Sequence, residues 1–121
     1  APSQTRKRAE LYRGTSASRG YGRQWQKARA LHLEQNPLCL GCQAVGHIKA
    51  ANIVDHVEPH EGDMVEFWND EMWQSCCEWH HNVVKQKLEH QFSSGKIKLD
   101  DLWLNSEKAK ALTLQLGGAP I

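Results

Sequence analysis

The sequence lacks any apolar run long enough to cross a membrane, because polar and charged residues interrupt every apolar segment of the 121-residue chain. Its first residues also lack the basic, apolar and small-residue order of a secretory signal. We therefore expect a cytoplasmic protein with no membrane partner. Large aliphatic residues are scarce as well, so the modest core of a chain this size is expected to need a further constraint, such as a structural metal ion.

Net charge is almost absent, with a formal total of +1, but the charges are unevenly distributed. Residues 1–30 have eight basic side chains against the single acid Glu10, whereas residues 31–121 have seven lysines against thirteen acids. Residues 1–20 are also rich in Arg, Ser and Gly, which predicts a flexible basic arm. Such an arm either binds a polyanion or is a solvated tail without a partner, and charge alone leaves both interpretations open.

The cysteines form short-gap pairs with each other and with histidine. Two residues separate Cys39 from Cys42, and the same gap separates Cys77 from His80. Two such pairs provide four ligands for one tetrahedral zinc ion, which is the interpretation that we favour. Disulfides are the alternative, but the adjacent Cys76 and Cys77 make a poor disulfide framework. Cys76 is predicted to be a small core residue, or a substitute ligand if Cys77 faces away.

The order of periodic segments predicts an α+β fold. Apolar residues at helical spacing follow Gly22 and stop at Asn36-Pro37. β-branched residues predict a strand over residues 48–57, and residues 72–75 predict a second strand that closes a hairpin. A helix is predicted over residues 78–92, one helical turn over 100–104, and a capped helix over 106–116.

Asp55, His56 and His81 are the candidate catalytic residues, because a hairpin followed by a helix brings them toward one another. Neighbouring residues of a strand point to opposite faces, so Asp55 and His56 share a cleft only at a bulge or a strand end. Neighbours in a helix differ by about 100°, so His80 can face zinc while His81 faces elsewhere. An uncharged histidine can act as a base at neutral pH, and a cation held by one carboxylate and one imidazole has open positions for water and phosphate.

Each candidate also has an ordinary structural interpretation. His56 is alternatively a core histidine, Asp55 a turn cap, and His81 a solvated neighbour of a zinc ligand. Their occurrence together beside the cysteine pairs favours the catalytic interpretation. Two questions stay open: whether the loop residues His60 and Asp63 join the site, and whether the lysines at 85 and 87 contact phosphate or only face solvent.

Three motifs, in this order, resemble those of an HNH endonuclease: Cys39-X-X-Cys42, Val54-Asp55-His56-Val57-X-Pro59, and Cys77-X-X-His80-His81-Asn82. More narrowly, the chain is similar to small phage and prophage HNH nucleases with a zinc-stabilised ββα-metal core and flanking helices. The resemblance covers about residues 20–92, so we expect an HNH nuclease domain over 21–92, preceded by the flexible basic arm over 1–20 and followed by a C-terminal helical extension over 93–121.

The resemblance also implies a division of roles. His56 would be the general base that activates water, and Asp55 and His81 would bind one catalytic Mg²⁺ or Mn²⁺ ion. The central Asn of the motif falls at position 72, where this chain has Met72, and this puts the positioning of His56 in doubt. The structural zinc ion would be held by Cys39, Cys42, Cys77 and His80.

The expected function is hydrolysis of DNA phosphodiester bonds in the cytoplasm of a bacterial host cell. DNA would be bound through its backbone by the basic N-terminal residues. The phage likeness implies packaging proteins such as terminase as further partners. One alternative is a zinc-stabilised DNA-binding module whose catalysis is weak or lost because of Met72. Another is a thiol–disulfide protein, which predicts cysteine oxidation and no stoichiometric zinc.

Overall fold

The computed structural model describes residues 22–120, so the predicted arm over residues 1–20 lies outside the described residues. Helix α1 spans Arg23–Gln35 and begins directly after Gly22. It ends at Gln35 because Asn36, which precedes proline, is disfavoured in the α region, and the sequence predicted this end. Trp25 is its buried residue and anchors the helix on the hairpin.

The two predicted strands pair as an antiparallel hairpin of β1 (Ile53–His56) and β2 (Trp73–Cys76). The register runs without interruption from Ile53 opposite Cys76 to His56 opposite Trp73. β1 is shorter than the predicted strand over 48–57, since β2 offers only four partners before the chain turns at Cys77 into the next helix. Residues before β1 make one isolated bridge instead, between Leu38 and Ala50.

One face of the hairpin is covered by an aromatic cluster. The predicted loop between the strands contains a short helix, α3 (Met64–Phe67), after the helix α2 (Leu40–Ala44) that follows Cys39. Asp63 caps α3 by accepting hydrogen bonds from the main-chain N–H groups of Val65 and Glu66. The buried members of the cluster are Trp25, Val54, Met64, Phe67 and Trp73.

The other face of the hairpin is covered by the C-terminal half of the described chain. Residues 78–93 are helical, with a π-helical stretch at His80–Lys85 that continues into α4 (Gln86–Ser93). A 3₁₀ turn at Leu99–Leu102 and helix α5 (Glu107–Gln115), capped by Ser106, follow. The predicted helices over 78–92 and 106–116 are thereby confirmed. Leu88, Leu102, Leu104 and Ala109 are fully buried on this side.

The alternation of side chains along β1 and β2 therefore supplies both cores, and all four residues of β2 are buried. Within residues 22–120, no helix has the length and apolar character needed to cross a bilayer.

Candidate metal centre

Cys39, Cys42, Cys77 and His80 form one compact buried cluster, and their ligand atoms all lie within 4.8 Å of one another. His80 Nδ1 lies 3.5 Å from each of the three sulfurs. The sulfurs of Cys42 and Cys77 are 3.9 Å apart. A tetrahedral zinc ion with ordinary bond lengths places sulfur and nitrogen about 3.6 Å apart and two sulfurs about 3.8 Å apart. The four residues thus have the geometry to hold a metal ion such as zinc.

Local structure explains how α2 presents its two cysteines. Cys39 caps α2, and its sulfur accepts a hydrogen bond from the N–H of Cys42 at 3.4 Å. Gly41 lies against the ring of His80: a Cβ at this position would be within 3 Å of three imidazole atoms. Position 41 must therefore be glycine for His80 to lie in the cluster as it does.

The fourth ligand is oriented from the C-terminal helix. His80 Nε2 lies 3.1 Å from the Thr113 hydroxyl oxygen, and that hydroxyl donates to the carbonyl of Ala109 at 2.9 Å. The hydroxyl proton is used in this way, so Nε2–H is the donor to Thr113 and Nδ1 keeps the lone pair that faces the sulfurs. Burial also lowers the pKa of His80 to about 4, which keeps the imidazole neutral. A second partner of this kind fixes the tautomer and direction of a metal-binding histidine.

A bound cation would also change the charge state of the cysteines. Burial raises the pKa of the Cys39 and Cys42 thiols, so their thiolate forms depend on a compensating positive ion. All four cysteines are free thiols. Cys76 is fully buried in the core and lies outside the cluster, as predicted.

His81 faces away from the cluster and toward Asp55. Its Nε2 lies 3.5 Å from Asp55 Oδ1, and its Nδ1 lies 3.1 Å from the amide oxygen of Asn82. An amide oxygen only accepts hydrogen bonds, so Nδ1 has a proton; Nε2 then presents a lone pair to Asp55 Oδ1 in the neutral ring and an N–H in the protonated ring. Two octahedral ligands with bonds of about 2.1 Å lie about 3.0 Å apart at a right angle, so the 3.5 Å pair would close by about half an ångström on a shared cation.

Asp55 is buried, with a side chain that is 5% exposed. Its Oδ2 accepts from the Gln74 amide at 2.9 Å and pairs with the Lys85 ammonium at 3.0 Å. Lys85 is itself fully buried, so it does not face solvent. Lys87, two residues later, is exposed.

His56 lies on the opposite face of β1, because the pairing through Asp55 and His56 contains no bulge. Its ring stacks on Trp25, with centroids 5.3 Å apart, and Nε2 lies 3.0 Å from the carbonyl oxygen of Phe67. The carbonyl places the proton on Nε2, so Nδ1 has the free lone pair. Burial, together with the nearby His60, lowers the pKa of His56 to about 4. The ring is therefore neutral and fixed in place.

The structure thus brings Asp55 and His81 together but points His56 to the opposite face of β1, so the expected bulge and the single cleft shared by all three side chains are absent. His60 contacts the His56 ring at a centroid distance of 4.9 Å, whereas Asp63 acts as a helix cap. Met72 packs partly buried against the core, and its carbonyl accepts from Val57 N–H at 2.8 Å.

Three contributors were not predicted from the sequence: Gly41, Gln74 and Thr113. Of these, only Gly41 has a local signal, as the small residue between two cysteines. Neither a protein-family model, nor a curated protein, nor a solved structure matches this chain.

Proposed function

We propose that this protein is a zinc-stabilised endonuclease of the HNH type, with a ββα-metal core, that hydrolyses DNA phosphodiester bonds with one Mg²⁺ or Mn²⁺ ion. The observation that carries the proposal is the approach of Asp55 Oδ1 to His81 Nε2 at 3.5 Å. This pair joins β1 to the helical segment over residues 78–93. His80, the residue before His81 in this segment, belongs to the Cys₃His cluster. Zinc would stabilise the frame, and the carboxylate and imidazole would hold the second ion.

A divalent cation bound by Asp55 and His81 supplies Lewis-acid stabilisation of the phosphate oxygens. His56 is the proposed general base. Burial lowers its pKa to about 4, so the ring is unprotonated at neutral pH but is a weaker base than free imidazole, and Phe67 O holds Nε2–H so that Nδ1 faces any water to be activated. Because Asp55 and His56 point to opposite faces of β1, the proposal requires a phosphodiester that lies across the end of this strand, where His56 is the last residue.

DNA is the proposed partner because the excess of basic residues over 1–30 suits a polyanionic backbone. Contacts of that kind position a protein without reading sequence, and binding should weaken steeply with salt. Work in the cytoplasm of a bacterial host beside packaging proteins such as terminase belongs to the same proposal and depends on the phage likeness alone.

A DNA-binding module without efficient catalysis is the second candidate. Two observations favour it: Met72 provides no side-chain hydrogen bond where the HNH pattern has Asn, and His56 faces the aromatic cluster across the strand from Asp55. In this case the Cys₃His cluster would serve only to hold the fold.

Cleavage of supercoiled plasmid separates these candidates. Zinc-loaded protein is incubated with Mg²⁺ or Mn²⁺, beside His56→Ala and the control His90→Ala, which changes an exposed histidine of α4. We expect cleavage by the parent and the control, and a loss of at least about 100-fold for His56→Ala, since a general base typically contributes that much. DNA binding without cleavage by the parent would favour the module, and full activity of His56→Ala would exclude this base.

A further inference from the structure

Lys85 is a charged residue in an unusual place. Its side chain is 1% exposed and lies between β1 and the helix that follows β2. The ammonium donates to the carbonyl of His56 at 2.9 Å and to Glu89 Oε2 at 2.7 Å, and it pairs with Asp55 Oδ2 at 3.0 Å. Two hydrogen bonds and one ion pair therefore surround the buried ammonium. Burying an ammonium opposes folding unless it is fully paired. We therefore attribute the lysine at this position to the groups that its ammonium contacts.

Gln74 approaches the same carboxylate oxygen from β2, directly opposite Asp55 in the register. Its amide nitrogen donates to Asp55 Oδ2 at 2.9 Å and lies 3.3 Å from the carbonyl of Leu102. Its amide oxygen accepts from Leu104 N–H at 2.8 Å. The main chain at 102 and 104 therefore fixes both ends of the amide and leaves it one orientation.

The two oxygens of Asp55 consequently differ. Oδ2 is held by Gln74 and Lys85, whereas Oδ1 faces His81. A carboxylate held in this way cannot rotate to bind an ion through both oxygens, and its remaining oxygen is aimed before any ion arrives.

We infer that Gln74 and Lys85 are positioning residues that hold the Asp55 carboxylate with Oδ1 alone turned toward a divalent cation shared with His81. This inference rests on the proposed cation site but not on DNA cleavage. Neither residue contacts the cation itself.

The test is Mn²⁺ binding to the zinc-loaded full chain without DNA, measured by calorimetry and by the EPR signal of free Mn²⁺. His81→Ala identifies the site, because its loss should abolish the binding. Gln74→Leu removes the donor to Oδ2, and we expect Mn²⁺ affinity to fall about tenfold or more, as for other partners of metal ligands. Ser75→Ala is the matched control: it also deletes a buried polar atom of β2, but one that has no hydrogen-bond partner, and it should leave Mn²⁺ affinity within twofold.

Lys85→Met gives a test of sign. If Lys85 only repels the cation, removing its charge tightens Mn²⁺ binding; if it positions Asp55, binding weakens although a positive charge is gone. Zinc content and thermal unfolding are measured for every variant. If Lys85→Met does not retain stoichiometric zinc, the inference is tested by the Mn²⁺ affinity of Gln74→Leu compared with that of Ser75→Ala.

The outcomes distinguish this inference from the proposed function. Weaker binding in Gln74→Leu with unchanged zinc content supports it, even if the parent protein cuts no DNA. Equal affinity in Gln74→Leu and the parent, tighter binding in Lys85→Met, or no Mn²⁺ site in the parent would overturn it.

Discussion

At position 41 the chain has no side chain, and the imidazole of His80 occupies the space that one would fill. The same ring presents Nδ1 to three sulfurs at 3.5 Å each. Any movement of the ring therefore changes three ligand separations together. The requirement at Gly41 comes from this close approach and not from an unusual backbone angle.

Gly41→Ala should accordingly weaken zinc binding by tenfold or more and lower the free energy of unfolding by about 1–3 kcal/mol, the usual range for overpacking a buried site. Competition with a chromogenic chelator measures the affinity, and chemical denaturation measures the stability. Gln43→Ala, at an exposed position of the same helix, is the control. Unchanged affinity in Gly41→Ala would show that the ring can shift without loss.

The ligands of the metal cluster were predictable because spacing alone identifies them. The partners that orient those ligands were not. Thr113 is 33 residues from His80, and Gln74 is about 30 residues from the main-chain groups that fix it. Neither residue type nor spacing marks such pairs in a single sequence, since only the packed fold brings them into contact.

At the scale of elements, α3 links the hairpin loop to His56. It has only four residues, too few to be stable alone, so its Asp63 cap and its buried Phe67 and Met64 hold it. The carbonyl of Phe67 accepts from both His56 Nε2 and the Trp73 indole N–H, each at 3.0 Å. The cap therefore acts indirectly on the orientation of the proposed base.

Asp63→Ala should lower the free energy of unfolding by about 1 kcal/mol, the typical value of a lost N-cap. It should also reduce the proposed cleavage activity while zinc content stays stoichiometric, because the cluster lies on the other side of the hairpin. Asp63→Asn is the matched variant, since asparagine caps a helix about as well as aspartate. Thermal unfolding and zinc analysis check the prediction; an equal loss of stability in both variants would assign the effect to charge and not to the cap.

Element boundaries show where sequence reasoning stops. The hairpin, α1 and the two later helices were predicted from periodicity and from Pro37. The predicted strand over 48–57 was too long, because strand length depends on the partner, and β2 has four residues. The helix α3 was missed since its pattern is too short for periodicity to register.

At the scale of the whole molecule, the metal cluster joins three parts of the chain that are distant in sequence. Cys39 caps α2 and Cys42 lies within it, Cys77 and His80 lie at the start of the long helical segment, and Thr113 of α5 contacts the His80 ring. Both cores meet at the four-residue hairpin between them. A fold of this size, with a sheet this small, depends on such a connection for much of its stability.

Removing the metal ion should therefore unfold both cores together. With zinc chelated, we expect one cooperative loss of secondary structure, followed by circular dichroism, that coincides with the change in fluorescence of the aromatic cluster around Trp25 and Trp73. Thr113→Val should shift this loss to lower chelator concentration, reflecting an affinity about tenfold weaker, whereas Thr113→Ser keeps the hydroxyl and should behave as the parent. Native fluorescence persisting in the zinc-free protein would mean that the aromatic face folds independently, and the ion would then stabilise only the half of the molecule that contains α5.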